Sequence, residues 1–381
     1  MFGFNNYIVP FAHLHICTFA YSSTFEQNLI KIKMQPIKTA LCSFGMSGWV
    51  FHAPFIDAHP GFEFIAVYER TSNHAEKKYP DVKTYRSLEA MLAVESIELV
   101  IVNTPNYTHF TFAKACLEAG KHVIVEKPFT LNVDEADTLI SLASKQNKKL
   151  SVFQNRRWDS DFQTVQDVVQ KKLLGNIVEV EFHFDRFKED LSPKAHKEVP
   201  GPGTGLLYDL GSHLIDQALQ LFGMPLRVFA DVSIVRSVSK VEDYMELLLF
   251  YGSSMRVRLK ASYQVKEMLP SYILHGSNGS FIKSRADIQE ANLQAKISPL
   301  SPNWGIEPDE AKGLLHVGTA GDDTRGYIPS YQGNYMVFYD GIYRAIRAGG
   351  VLPVTAEEGK QVIQIIEAAY KSVSSGCIVI V

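Results

Sequence analysis

Cysteine is scarce in this chain: four residues among 381, Cys17, Cys42, Cys116 and Cys377, with no C-x-x-C spacing anywhere. Scattered single thiols suit a reducing, cytoplasmic compartment and supply no zinc framework. A dominant sign of charge is also missing. The net charge is -3, so no basic excess points to nucleic acid or an anionic membrane as partner. There is no uninterrupted apolar run long enough for a membrane-spanning helix. Residues 1–33 are aromatic-rich but lack a basic start, and His13 and His15 break their most apolar portion, which argues against a secretory signal. They show neither helical nor strand periodicity and read as an extension of doubtful structure, or an upstream start ahead of Met34. No internal repeat or low-complexity tract occurs. What is present is 46% hydrophobic residues, enough for a globular protein with two separate cores.

Past Met34, short β-branched runs alternate with helical patterns, which predicts a parallel, doubly wound sheet over 34–155. Residues 37–44 read as the first strand and run into Ser43-Phe44-Gly45-Met46-Ser47-Gly48. This is a dinucleotide-binding turn with its first glycine replaced by serine. Gly45 would let the backbone approach a pyrophosphate, and Gly48 would let the following helix pack closely on the strand. A second strand, 62–68, ends in Glu69, about 20 residues further on, where an acid can accept from ribose hydroxyls. Helices are expected over 72–79, 87–94 and 108–119, and strands over 82–85, 99–102 and 150–153. Asn132 and Glu135 form an Asx version of a capping box for another helix.

Val123-Ile124-Val125-Glu126-Lys127-Pro128 is the stretch around which the chain is organised. The β-branched run reads as a buried strand, and Pro128 ends it because it has no N–H for the ladder. Glu126 and Lys127 then stand at the carboxyl end of a strand, where open parallel sheets place ligands. On this tripeptide alone, a solvated strand-end pair explains the charges equally well.

After Asn155 the strands follow one another without helices between them, which predicts an α+β domain over 156–381 with a largely antiparallel, open-faced sheet. Its strands are expected over 177–186, 226–235, 244–251, 255–263, 271–276 and 280–283, the last two joined across Asn278-Gly279, a hairpin signal. Helices are expected over 161–172, 209–222 and 335–348. Thr355 with Glu358 forms a capping box opening the last. Residues 302–331 read as a loop that could help cover a pocket. Asp209 and His213 are four apart, so on a helix they share a face. A carboxylate there could orient the histidine as a base; an aspartate on the helix dipole beside a core histidine is the alternative. Asp216, a turn further on, reads as structural. A metal site built from Asp209, His213 and Asp216 lacks further ligands, and none is expected.

Glu126-Lys127-Pro128, the glycine loop running into Phe51-His52-Ala53-Pro54, and Asn103-Thr104-Pro105 with His109 resemble the Gfo/Idh/MocA oxidoreductase family. Asn155-Arg156-Arg157-Trp158-Asp159 and Tyr208-Asp209-Leu210-Gly211-Ser212-His213 are similar to the branch containing scyllo-inositol dehydrogenases. The resemblance covers about residues 38–376. It implies NAD(P) bound by Phe44, Gly45, Met46, Ser47, Gly48, Glu69, Arg70, Asn103, Thr104, Pro105, His109, Glu126 and Lys127. It also implies oxidation of a secondary hydroxyl on a cyclitol or sugar. Lys127 would stabilise charge on the substrate oxygen, His213 would take its proton, and Asp209 would orient the imidazole. Asn155, Arg156, Arg157 and Trp158 would border the substrate, although a structural ion pair suits either arginine and a core position suits Trp158. Glu69 repels a 2′-phosphate, whereas Arg70 with Thr71 and Ser72 could bind one, and the reading leans to NAD over NADP. The resemblance further implies a homo-oligomer, dimer or tetramer, joined through the second sheet. The competing reading is a non-catalytic sensor that binds dinucleotide and a sugar-like ligand.

Overall fold

Strands that are apolar without alternation need cover on both faces, and the first six strands are arranged to provide it. The computed structural model describes residues 35–381 except 193, 195, 196, 253 and 320; the extension expected over 1–33 lies outside the described residues. β1 (Ile37–Leu41), β2 (Phe62–Tyr68), β3 (Lys83–Tyr85), β4 (Leu99–Val102), β5 (His122–Glu126) and β6 (Leu150–Phe153) form one parallel sheet in the order β3-β2-β1-β4-β5-β6. Between them run α1 (Ala53–Ala58), α2 (His74–Lys78), α3 (Leu88–Leu92), α4 (His109–Glu118) and α5 (Val133–Lys145). This is the doubly wound, Rossmann-type sheet expected from the alternation. Strand order reverses between β1 and β4, and the crevice outside their carboxyl ends is where such sheets take ligands.

Two local features differ from expectation. β1 ends at Leu41, not at 44, and the chain enters a wide π turn over Gly48–His52 before α1 begins. Ala53 donates its N–H to the Gly48 carbonyl, five residues back. That extra residue puts Pro54 at the start of the α-helical part, where a missing N–H costs nothing. At α5, Asn132 accepts the Glu135 N–H at 2.8 Å, as a cap should, but the Glu135 carboxylate reaches the Leu131 N–H at 3.0 Å. The reciprocal half of the box is displaced by one residue.

The second half adds α6 (Ser160–Gln170), β7 (Ile177–His183), α7 (Ser212–Phe222), β8 (Arg227–Ser233), β9 (Tyr244–Tyr251), β10 (Met255–Ser262), β11 (Tyr272–Gly276), β12 (Gly279–Lys283), α8 (Gln289–Gln294), β13 (Gly313–Thr319), β14 (Asp322–Ile328), α9 (Met336–Arg347), α10 (Ala356–Ser375) and β15 (Val379–Ile380). Its nine strands are ordered β14-β13-β12-β11-β7-β10-β9-β8-β15, antiparallel except for β7 beside β10. Alternation sorts the faces. Met245, Leu247 and Leu249 of β9 are buried with Val165 of α6, Ile215 of α7 and Ile363 and Ile366 of α10. On the other face Arg258 joins Glu181 at 2.6 Å and Glu246 at 2.9 Å. α10 opens on the expected Thr355–Glu358 capping box, an interaction worth about 1 kcal/mol. Each of its buried isoleucines contributes about 1.5–3 kcal/mol by leaving water.

The hairpin between β11 and β12 turns at Ser277 and Asn278, because Gly276 pairs with Gly279. Within 302–331, read as a loop, β13 and β14 form a second hairpin. β14 is almost wholly exposed, so its sequence carries no apolar alternation to betray it.

The last third of the chain also completes the first core. Tyr335, Phe338, Tyr339 and Ile342 are buried there with Phe55 and Phe153. Phe55 stacks on Tyr339 with centroids 5.3 Å apart, and Phe153 meets Phe338 edge-on at 4.9 Å. No described helix is long and apolar enough to cross a membrane.

Candidate active site

The glycine loop is held from β4. Asn103 accepts the Ser43 N–H at 2.9 Å and donates to the Ser43 carbonyl at 2.9 Å, while the Ser43 hydroxyl donates to the Asn103 carbonyl at 3.0 Å. Ser43 is not among the residues with positive φ, which is why serine serves at the first glycine position. Gly48 is required: a Cβ there would lie 2.5 Å from the Ser43 carbonyl oxygen. A Cβ on Gly45 would meet only the Ser43 hydroxyl, at 3.9 Å, so the loop's ligand side is open. Asn103, expected as a cofactor contact, spends both ends of its amide on the loop.

At the end of β5, Glu126 and Lys127 diverge. The Ser47 hydroxyl donates to Glu126 Oε1, and His52 Nε2 lies 3.0 Å from the same oxygen. His52 Nδ1 meets the Tyr339 hydroxyl at 2.9 Å. Burial alone would raise the Glu126 pKa, but His52 and the Ser47 hydroxyl bring it below the usual value. His109, also expected to touch cofactor, is buried with its ring nitrogens 2.8 Å from the Pro128 carbonyl and 3.0 Å from that of Thr104. It ties the β4 turn to the β5 turn.

Lys127 Nζ donates to Asp209 twice, to the backbone carbonyl at 2.8 Å and to Oδ1 at 3.1 Å. Lys197 Nζ reaches Asp209 Oδ2 at 2.6 Å. Burial would raise the Asp209 pKa, but the two ammonium groups hold it well below the usual carboxylate range. Burial lowers Lys127, and Lys197 adds to that. Asp209 lies in a π turn, Leu207–Gly211, ahead of α7, so the four-residue spacing to His213 does not bring their side chains together as one helical turn would. No hydrogen bond joins Asp209 to His213. His213 is buried with Nδ1 unpartnered. Burial, then Lys127 and Arg156, push its pKa well below that of a free imidazole.

Lys127, Asp209, His213, Asn155 and Arg156 line one cleft of about 480 Å³ with Met46, Ser47 and Glu126. Arg156 also bonds Asp159 at 3.2 Å and Glu290 at 2.9 Å. Arg157 does not face the cleft. It is buried in a bidentate pair with Asp216, 2.9 and 2.7 Å, and bonds Glu358 at 2.9 Å. Trp158 is also away from the cleft, edge-on to Phe338 at 5.7 Å. The expected substrate contacts of Arg157 and Trp158 are therefore structural.

A second hollow of about 430 Å³ continues past Thr104 and Pro105 to Phe44, Gly45, Glu69, Arg70, Thr71, Ser72 and His74. The Glu69 carboxylate does not stand free for a ribose. It accepts from the Ser72 hydroxyl at 2.6 Å, the His74 N–H at 3.2 Å and the Ala75 N–H at 3.1 Å, serving the start of α2. Arg86 braces the same bend through the carbonyls of Glu69 at 2.7 Å and Ser72 at 2.5 Å. Sequence reasoning missed Arg86, Lys197, Tyr339 and the role of His52. Only His52 sat in a recognised motif. Among the described residues no cluster of three or more His, Cys, Asp or Glu could hold a metal ion.

Residues 37–154 match the family model described as the oxidoreductase family NAD-binding Rossmann fold, and 166–380 match its C-terminal alpha/beta domain. Scyllo-inositol 2-dehydrogenase (NADP(+)) IolW of Bacillus subtilis is 38% identical over 89% of this chain and 94% of its own length. D-apiose dehydrogenase of Paraburkholderia graminis is 23% identical over 83% of this chain and 82% of its own. Among solved structures, yvaA of Bacillus subtilis superimposes with a TM-score of 0.88 at 37% identity, covering 92% of this chain and 99% of that one. A structure from Bacteroides fragilis gives 0.83 at 44%, covering 91% and 100%. With both halves matched in order, the chain belongs to the Gfo/Idh/MocA family of NAD(P)-binding oxidoreductases.

Proposed function

We propose that the protein is an NADP-linked dehydrogenase of a secondary hydroxyl on a cyclitol or sugar, of the inositol type. The observation that carries this is Lys127, held by Asp209 in the cleft that continues to the glycine loop and that His213 also lines. The residues present suit a dinucleotide. The loop is open at Gly45, closely packed at Gly48, and leads to the second hollow. The nicotinamide, when bound, supplies the hydride acceptor or donor.

An ammonium has three N–H donors. Lys127 spends two on Asp209, and the third is available to the substrate oxygen, where it stabilises negative charge as that charge develops. His213 is the acceptor for the hydroxyl proton. Its lowered pKa keeps the ring neutral at physiological pH and free to accept. Asp209 hydrogen-bonds Lys127 and reaches the imidazole only through space, where its charge partly offsets the lowering. Asn155 and Arg156 border the substrate.

NADP is favoured over the NAD suggested by the acidic Glu69, because that carboxylate serves backbone and hydroxyl donors of its own bend. Arg70 and Thr71 beside it suit a 2′-phosphate, and the relative IolW is NADP-dependent by name. The reading includes a Rossmann domain over 34–155 and a second domain over 156–381. It also includes a cytoplasmic homo-oligomer, dimer or tetramer, assembled through the open face of the second sheet.

The experiment is a panel of cyclitols and sugars offered with NAD and with NADP, followed by absorbance of the reduced nicotinamide. Turnover of inositols with NADP is expected. Dinucleotide binding without turnover of any polyol would favour the non-catalytic sensor instead.

A further inference from the structure

We propose that Lys197 is a positioning residue for this reaction: it holds the outer oxygen of Asp209 so that the inner oxygen stays on Lys127, and it divides one carboxylate between two ammonium groups. The inference rests on the role given to Lys127 above. Lys197 Nζ lies 2.6 Å from Oδ2 and Lys127 Nζ lies 3.1 Å from Oδ1. No other described donor bonds the Asp209 carboxylate, so without Lys197 the outer oxygen has no partner.

Lys197 does not come from the same element as either residue it serves. It rides the loop between β7 and the π turn, and that loop is fastened beside it. The neighbouring Glu198 accepts the Ser192 N–H at 2.7 Å and pairs at 3.4 Å with Arg236. Arg236 is buried, bonds Asp243 at 2.7 Å and donates to the Asp190 carbonyl at 2.7 Å. Further along, Asn106 donates to the Gly203 carbonyl at 2.6 Å. Lys197 is thus presented by a buried ion-pair network.

The charged and titratable groups facing Asp209 are Lys127 beside Glu126 at the end of β5, Lys188, Lys194 and Lys197 on the loop, Tyr263 after β10, and His213 on α7. Only Lys127 and Lys197 bond its carboxylate. Removing Lys197 leaves that carboxylate to Lys127 alone and removes a repelling charge, so both effects move Lys127 titration in one direction, upward.

The test compares wild type with Lys197→Gln and Lys197→Arg. Lysine side-chain NMR reads the titration of Lys127, assigned by its loss in Lys127→Met, and the pH profile of kcat is measured with NADP and a turned-over polyol. In Lys197→Gln the Lys127 midpoint and the alkaline limb of kcat should both move to higher pH. The acid limb should stay, and kcat should fall about tenfold as the unshared carboxylate draws Lys127 away from the substrate oxygen. Lys197→Arg should return both toward wild type. An unmoved Lys127 midpoint in Lys197→Gln overturns the proposal, as does failure of the arginine to restore it. The NMR titration needs no substrate. If no polyol is turned over, the dehydrogenase reading fails while Lys197 is still decided.

Discussion

His52 Nδ1 lies 2.9 Å from the Tyr339 hydroxyl, whose one hydrogen is already given to the Phe51 carbonyl at 2.7 Å. Nδ1 must therefore carry a hydrogen. Nε2 lies 3.0 Å from Glu126 Oε1, so the ring bridges Tyr339 to the carboxylate that receives Ser47. Tyr339→Phe removes the acceptor and leaves a buried N–H unpaired, which should cost about 1–3 kcal/mol of stability. Denaturant midpoints check this, and dinucleotide titration should show weaker binding as Glu126 loosens its hold on Ser47.

Lys127→Met keeps bulk and removes charge, so it should lower kcat by at least about a hundredfold, with dinucleotide affinity much less affected. Asp209→Asn added to Lys127→Met should cost little more, because the two act as one unit. His213→Asn should lower kcat by itself. Burial, Lys127 and Arg156 keep the wild-type histidine well below its ordinary pKa, so the acid limb of kcat should lie below that of a free imidazole. If Lys127→Met spares kcat and raises only the dinucleotide Kd, the lysine is a cofactor anchor.

Arg70→Ala with Thr71→Ala should lower kcat/KM for NADP by about tenfold or more and leave NAD nearly unchanged, as expected when a charged phosphate contact is lost. Glu69→Ser should not simply relieve repulsion. It removes the acceptor serving three donors at the start of α2 and should cost about 1 kcal/mol. Steady-state kinetics with both cofactors, beside melting curves, separates the two effects.

His122 sits at the start of β5 and accepts the Lys149 N–H on Nδ1 at 2.9 Å. Burial, with Lys148 nearby, pushes its pKa down to about 4. The unfolded value is about 6.5, so between these limits the unfolded chain binds more protons than the folded one. Stability contributed here is complete above about pH 6.5 and is lost as pH falls toward 4, by up to about 2 kcal/mol after allowance for partial exposure. His122→Gln can still accept from Lys149 and should flatten this part of the urea-midpoint curve between pH 7 and 5. An unchanged slope would refute the assignment.

The parallel sheet, its order of elements, the Glu126–Lys127 corner and the Gly48 contact were legible because each is written in neighbouring residues. Ser43 in place of glycine was legible as a departure, and its clamp by Asn103 was not, since the partners are 60 residues apart. His52 with Tyr339, and Asp209 with Lys127 and Lys197, are likewise pairings that only tertiary structure makes. The expected Asp209–His213 contact is not a hydrogen bond, for another reason. A period of 3.6 was assumed where the backbone opens into a π turn, and one extra residue per turn moves a side chain off the shared face. Arg157 was open between ligand and ion pair, and its partners Asp216 and Glu358 decide it.

The return of Tyr335, Phe338, Tyr339 and Ile342 to the first core has a consequence during synthesis. The ribosome delivers every strand of the first sheet long before it delivers these aromatic residues. At ~5–20 residues per second the sheet waits about ten seconds or longer with Phe55 and Phe153 uncovered. A nascent chain stalled after β6, or a gene truncated there, would therefore display an apolar face that attracts chaperones, however sound its six strands are.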